Sequence, residues 1–251
     1  DAQAAVVLRC RRMVDALLTL TPPDHDRAER VLDTLSSLRV QDGPNAAELE
    51  GEIAYRRAQI ALARGDEQEA VRIVESIRVK DSELAASASR LVLRFVANQW
   101  AESEVGSESR LVNARRLLNL AELIVNKPAD ADALRADPRE ATIRVMAGEA
   151  AVEIWKSDAS RQTLELALRL VGELKSAFPS DARVLTLSAE SAEAVGDLET
   201  ALDNWRTLVS ASKAGTDEWF TRRLRQLSVL SEVDPAKARE ALAQHRTLYP
   251  G

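Results

Sequence analysis

The sequence contains only two histidines, His25 and His245. His25 lies between Asp24 and Asp26, a grouping that could hold a metal ion or form an acid–base pair. In the alternative interpretation, Asp24 caps a helix and His25 is a solvated residue of its first turn. We favour the second interpretation, because a catalytic base must be enclosed and oriented. His245 is interpreted as a surface or interface residue.

Motifs of the common catalytic and cofactor-binding sites are absent from the sequence. It has no glycine-rich dinucleotide or phosphate-binding loop, no HExxH and no CxxC pattern. Cys10 is the only cysteine, which excludes an internal disulfide and a cysteine-rich metal site. An active site would have to be assembled from acidic residues alone. We therefore expect no catalytic residues, no metal, no cofactor and no enzymatic activity.

Three arginines, Arg222, Arg223 and Arg225, follow Trp219 and Phe220. Basic residues beside aromatic rings can bind single-stranded nucleic acid through phosphate contacts and stacking. Adjacent residues on a helix point in different directions, however, and the net charge of −6 opposes a broad phosphate-binding surface. A polar C-terminal cap, or charge matching between neighbouring repeats, is the simpler interpretation, and we do not expect a nucleic-acid partner.

Composition indicates a water-soluble helical chain with a core of Ala, Leu and Val. Of the 251 residues, 45% are apolar but only 4% are aromatic, and no apolar run approaches the roughly 18 residues of a membrane-spanning helix. The excess of arginine and alanine is a bacterial-type genomic composition. The chain begins at Asp1 without a Met, so we expect a processed form or a fragment of a longer protein. Any targeting segment would be missing, and both the cytoplasm and the periplasm are compatible with the sequence.

Apolar residues recur at helical spacing between the prolines. Leu198, Ala201, Leu202, Trp205 and Leu208 follow the i, i+3, i+4, i+7 pattern, and no stretch alternates with a period of two. The sequence therefore predicts an all-α protein. The predicted helices are 3–20, 25–39, 45–64, 67–79, 82–104, 108–126, 139–156, 160–177, 181–195, 198–211, 217–232 and 235–248.

One turn carries the strongest repeat signal. Gly196 and Asp197 end one helix and begin the next, which has Ala201 four residues after the Asp and Trp205 four residues further on. Glycine can adopt the left-handed conformation that ends a helix, and aspartate caps the following one. A small residue at the Ala201 position allows two helices to cross closely. This pattern resembles the tetratricopeptide repeat (TPR).

Partial copies of the pattern occur elsewhere in the chain. The 34 residues between Ala167 and Ala201 equal the length of one such repeat, whereas longer steps around Ala114 indicate irregular central repeats over 82–160. The resemblance implies one TPR-like superhelical domain over 1–251, a right-handed α-solenoid of about six antiparallel helix pairs. The predicted structural repeat positions are Gly65, Asp66, Ala70, Ala167, Gly196, Asp197, Ala201, Trp205, Ala238 and Pro250.

The resemblance also implies a scaffold that binds a protein or peptide on the surface of its first helices. In this register an acidic surface with a preference for basic partner segments is expected; the alternative is an ordinary solvated helix face. A second possible role is an architectural spacer or oligomerisation segment without a peptide groove. The sequence predicts neither the partner nor the oligomeric state. The predicted partner-binding residues are Glu149, Glu153, Arg183, Glu190, Glu193 and Arg223.

Overall fold

Every regular element of the described chain is an α-helix. The computed structural model describes residues 2–37, 44–77 and 83–249, with the backbone alone for 2–4 and 44–47. The predicted all-α class is confirmed over these ranges. None of their helices combines the length and the apolarity needed to cross a membrane. By its internal contacts the chain divides into two compact units, Asp1–Lys127 and Pro128–Gly251.

In the first unit, helices pack as successive pairs. Helix α1 packs against α2, α3 against α4, and α5 against α6. Consecutive pairs are joined because α3 also contacts α5 and α4 also contacts α6. The helices of this unit are α1 (Ala2–Leu18), α2 (His25–Ser37), α3 (Pro44–Ala63), α4 (Glu67–Glu75), α5 (Glu83–Glu102) and α6 (Glu108–Val125).

The second unit repeats this pairing. Helix α8 packs against α9, α10 against α11, and α12 against α13, while α10 contacts both helices of the pair before it. We call α1, α3, α5, α8, α10 and α12 first helices, and their partners second helices. The helices of this unit are α7 (Ala131–Ala136), α8 (Pro138–Asp158), α9 (Arg161–Ala177), α10 (Ala182–Val195), α11 (Leu198–Ala211), α12 (Asp217–Val233) and α13 (Pro235–Leu248).

The twelve predicted helices are present, and the structure adds α7, which the sequence analysis missed. The predicted helix 67–79 ends earlier, at Glu75, and the predicted boundaries at 39, 79 and 82 lie outside the described residues. Helix α7 is six residues long, with Leu134 as its single buried residue, so it shows no apolar periodicity. The sequence feature that marks the start of α7 is its N-cap residue, Asp130, whose side chain accepts a 2.7 Å hydrogen bond from the N–H of Ala133.

Two Gly-Asp turns have the same geometry in the two units. Gly65 and Gly196 both have φ +78°, the left-handed region that favours glycine. The next N–H, of Asp66 or Asp197, donates to the carbonyl five residues earlier at 2.9 Å, as in a Schellman motif. Each Asp side chain then accepts a hydrogen bond from the N–H three residues later. One short sequence thus ends one helix and starts the next.

A buried alanine lies near the start of every second helix. Two of these alanines lie in clusters with larger side chains of neighbouring helices: Ala28 with Val14 of α1, and Ala201 with Leu185 of α10 and Val229 of α12. A small side chain at such a position permits a close helix–helix approach. The buried alanines are Ala28, Ala70, Ala114, Ala167, Ala201 and Ala238, and the predicted repeat position Pro250 lies outside the described residues.

Between α8 and α9 the core contains a buried charge. The side chain of Arg144 is 1% exposed and forms ion pairs with Glu140 of its own helix and Glu173 of α9. Arg169 donates to the other carboxylate oxygen of Glu173 at 2.9 Å. Two acidic and two basic groups therefore neutralise one another, which offsets part of the cost of removing them from water.

We expect Ala201→Trp to destabilise the protein far more than Glu199→Trp. The first change places a large side chain at a fully buried position, and overpacking of this kind costs about 1–3 kcal/mol or more. The second adds the same side chain to an exposed position two residues away. Urea denaturation of the two variants measures the difference, and equal free energies of unfolding would contradict the packing assigned to Ala201.

The cap at Asp197 predicts a pH-dependent contribution to stability. Hydrogen bonds from the side chain and the backbone N–H of Thr200 lower the pKa of Asp197 below its ordinary value of 3.8. A carboxyl group whose pKa is lowered by folding stabilises the fold above its unfolded pKa, and that stability is lost as the pH falls through the folded pKa. Asn caps a helix without a titrating charge.

The free energy of unfolding of the wild type should therefore exceed that of Asp197→Asn near neutral pH. The difference should shrink as the pH falls below about 4. Denaturation curves of both proteins between pH 7 and pH 2 provide the measurement. Because both proteins share all other titrating groups, a difference that does not change with pH would refute the assigned role of the Asp197 carboxylate.

Candidate interaction surface

The first helices α8 and α10 approach closely at a glycine. A Cβ atom added to Gly148 would lie 2.6 Å from Cδ2 of Leu187, closer than real side chains come to one another. Gly148 is in the middle of α8 and Leu187 is buried in the middle of α10. The missing side chain therefore lets α10 pack directly on the backbone of α8, and the outer faces of the two helices form a shared surface.

Two ion pairs bridge this surface. The guanidinium of Arg183 donates two hydrogen bonds to the carboxylate of Glu149, the shorter of 2.7 Å. The ammonium of Lys156 lies 2.9 Å from the carboxylate of Glu190. In both pairs the partners are 34 residues apart, the same step that separates Ala167 from Ala201. Equivalent positions of consecutive first helices therefore lie side by side and carry opposite charges.

The six predicted binding residues do not form one acidic cluster. Glu149 is paired with Arg183, and Glu190 is paired with Lys156. Glu153 lies half-buried one turn after Glu149 on α8. The carboxylate of Glu193 accepts a 2.6 Å hydrogen bond from the indole N–H of Trp205, a buried residue of α11. Arg223 lies on α12 and donates to Gln226 at 2.6 Å. Sequence reasoning missed Lys156, although its distance of 34 residues from Glu190 is a signal that could have identified it.

The first unit has the same kind of charge matching between first helices. Arg11 of α1 lies 2.6 Å from Glu52 of α3, and Arg56 of α3 lies 2.6 Å from Asp15 of α1. The partners are 41 residues apart in both pairs. Each unit thus has two ion pairs between first helices with the same sequence separation, 41 residues in the first unit and 34 in the second.

His25 lies at the start of a helix, and His245 packs against aromatic rings. The side chain of Asp24 accepts from the N–H of Arg27 at 3.0 Å, so Asp24 caps α2, and His25 is its first residue. Among the described residues, no group of three or more His, Cys, Asp or Glu side chains could hold a metal ion.

His245 belongs to a four-ring cluster that sequence reasoning did not identify as one feature. Trp219 contacts Phe220, His245 and Tyr249 with ring centroids 5.0–5.7 Å apart. The cluster joins the start of α12 to the end of α13, and such aromatic pairs contribute about 0.5–1.5 kcal/mol each beyond their burial. Of the neighbouring arginines, Arg222 pairs with Glu218 at 2.6 Å. The rings therefore pack the start of α12 against the end of α13, and the Arg222–Glu218 pair lies within α12.

Comparison of the chain with protein-family models, with curated proteins and with solved structures found no match.

We expect opposite outcomes when alanine replaces two helical glycines. Gly172 in α9 is exposed, and a Cβ there would meet no atom within 4 Å, so Gly172→Ala should raise the free energy of unfolding by about 0.5–1 kcal/mol through helix propensity. Gly148→Ala must displace the buried Leu187, which should cancel or reverse that gain. Urea denaturation compares the variants. An equal gain for both would contradict the close approach of α8 and α10.

Proposed function

We propose that this chain is a divergent TPR-like helical repeat protein, a right-handed α-solenoid of about six helix pairs in one superhelical domain. The successive pairing of helices within each unit supports this proposal, as do the two matching Gly-Asp turns and the buried alanine of each second helix. Ala167 and Ala201 are 34 residues apart, and so are the partners of the two ion pairs between α8 and α10. This is the length of one repeat of this family.

We further propose that the chain is a protein–protein interaction scaffold and not an enzyme. The observation that carries this proposal is the side-by-side placement of equivalent positions on α8 and α10. A surface built this way presents polar side chains at regular spacing, which suits an extended partner segment better than a small substrate.

A basic partner segment fits the charge of this part of the chain. Of the charged residues described on α8 and α10, Glu149, Glu153, Glu190 and Glu193 are acidic, and Arg183 and Lys156 are basic. Arg183 and Lys156 already neutralise part of the acidic surface, so binding would exchange an internal pair for one with the partner. Such exposed pairs are each worth only about 0–1 kcal/mol, so the exchange is inexpensive.

The internal pairs also favour the rival role of an architectural spacer. A spacer needs a fixed helix register and no free binding groups, and ion pairs between first helices satisfy both needs. The two roles differ in whether the surface of α8 and α10 binds a peptide, and selection from a peptide library tests this difference directly.

Peptides selected from a phage-displayed random dodecapeptide library against the whole chain should be enriched in Lys and Arg. The double variant Glu149→Gln/Glu190→Gln removes two negative charges and releases Arg183 and Lys156, so it should weaken binding of the selected peptides about tenfold at low salt. Binding should also weaken as salt rises, because exposed charges are screened. Fluorescence anisotropy with labelled peptides measures both effects.

The matched control is Glu199→Gln/Asp203→Asn, which removes the same charge from two exposed positions of the second helix α11. Peptide affinity should be nearly unchanged in this variant. If the library yields no specific peptide, the spacer role replaces the scaffold. If both double variants weaken binding equally, the effect is one of total charge and the surface of α8 and α10 is not the binding site.

A further inference from the structure

The three second helices of the second unit can be compared position by position. Their buried alanines, Ala167, Ala201 and Ala238, define a common register. Four residues after the alanine, Val171 of α9 is 8% exposed and Trp205 of α11 is 3% exposed, but Leu242 of α13 is 39% exposed. Helix α13 therefore carries, uncovered, an apolar position that is buried in the two helices before it.

On α11 this position is covered from two helices: Trp205 donates to Glu193 of its own partner α10, and the first helix of the next pair, α12, adds to the same cluster. Helix α10 packs on α9, and α12 packs on α11. Val229 of α12 is buried in one cluster with Leu202 and Trp205 of α11, with Leu230 against its edge. The packing of α12 on α11 thus shows which kind of element fits this face: an amphipathic helix that places its apolar stripe on the residue equivalent to Leu242.

The charge beside Leu242 differs from that on α11. One and eight residues after the alanine, α11 has Leu202 and Val209, α9 has Leu168 and Lys175, and only α13 has two arginines, Arg239 and Arg246. Arg239, Leu242 and Arg246 are spaced by three and four residues and so lie on one helix face. Both arginines are exposed. A helix that covers Leu242 would therefore meet two positive charges, where α12 meets apolar side chains on α11.

We propose that the Arg239–Leu242–Arg246 face of α13 is a docking site for an acidic amphipathic helix of a partner protein. The partner helix takes the place that α12 takes on α11, with apolar residues on Leu242 and carboxylates beside the two arginines. This site is separate from the surface of α8 and α10, so either proposal can fail without the other.

The probe follows from the intramolecular contact. It is a 17-residue peptide with the sequence of Asp217–Val233, labelled with fluorescein, in which Arg222→Glu and Arg223→Glu place acidic side chains beside the apolar stripe that contains Val229. The control peptide has the unchanged sequence, in which acidic and basic residues balance. Anisotropy at low salt should show the acidic peptide binding the whole chain at least tenfold more tightly than the unchanged peptide.

Variants of the protein locate the binding. Arg239→Gln/Arg246→Gln should weaken binding of the acidic peptide at least tenfold, and Leu242→Ser should do the same, with helix content checked by circular dichroism. The matched control Arg161→Gln/Arg206→Gln removes two exposed arginines from α9 and α11 and should leave the affinity within about twofold. A proline at the centre of the peptide should abolish binding, since the bound form is helical.

Three results would overturn the proposal. The first is no binding of the acidic peptide up to millimolar concentration, which would leave the two arginines as ordinary exposed charges. The second is an equal loss of affinity in the test and control double variants, which would mean nonspecific attraction. The third is self-association of the wild type in light scattering that Leu242→Ser abolishes, since the occupant would then be a second copy of this chain.

Discussion

In this protein, a helix can bury its apolar stripe only against neighbouring helices, and the close approach at a buried alanine makes that burial effective. The distance between packed helix axes depends on the side chains at the contact, and only a small residue permits a short one. Aromatic residues make up only 4% of the chain, so large rings are too few to fill wide gaps between helices. Leu and Val reach across the remaining space because residues such as Ala70 and Ala201 keep it narrow.

A core of Ala, Leu and Val does little to define how far one helix is shifted along another, since one apolar turn resembles the next. The ion pairs between first helices supply that information. Arg11 and Asp15 face Glu52 and Arg56, so a slip of one turn would bring Arg11 opposite Arg56. In the second unit the sign also reverses along the helix, from Glu149 to Lys156. Largely exposed pairs such as Arg183–Glu149 add little stability, but like charges in the slipped register would disfavour it.

The helices and their ends could be predicted from the sequence because the signals are local. Asp24 and Asp197 were recognisable caps, and each accepts a hydrogen bond from the N–H three residues later. Helix α7 was missed because a six-residue helix with one apolar residue has no period to detect. The partners of Glu149 and Glu190 could not be derived from local signals, because they depend on the register between two helices. The burial of Arg144 had no sequence signal, since arginine in a helix is ordinarily exposed.

The buried polar groups of the second unit suggest why its helices have one fixed arrangement. Arg144 and Arg169 both pair with Glu173, which orients α9 on α8. Asn204 of α11 donates to Ser188 of α10 at 3.0 Å, and Lys175 of α9 lies 3.3 Å from Asn204. Buried ion pairs are costly to desolvate and often no more stable than apolar residues of equal size. Their contribution is specificity: each of these contacts requires one particular neighbour. Burial of Ala, Leu and Val then stabilises the packing that the polar contacts select, and the spacing of side chains on the surface of α8 and α10 follows from it.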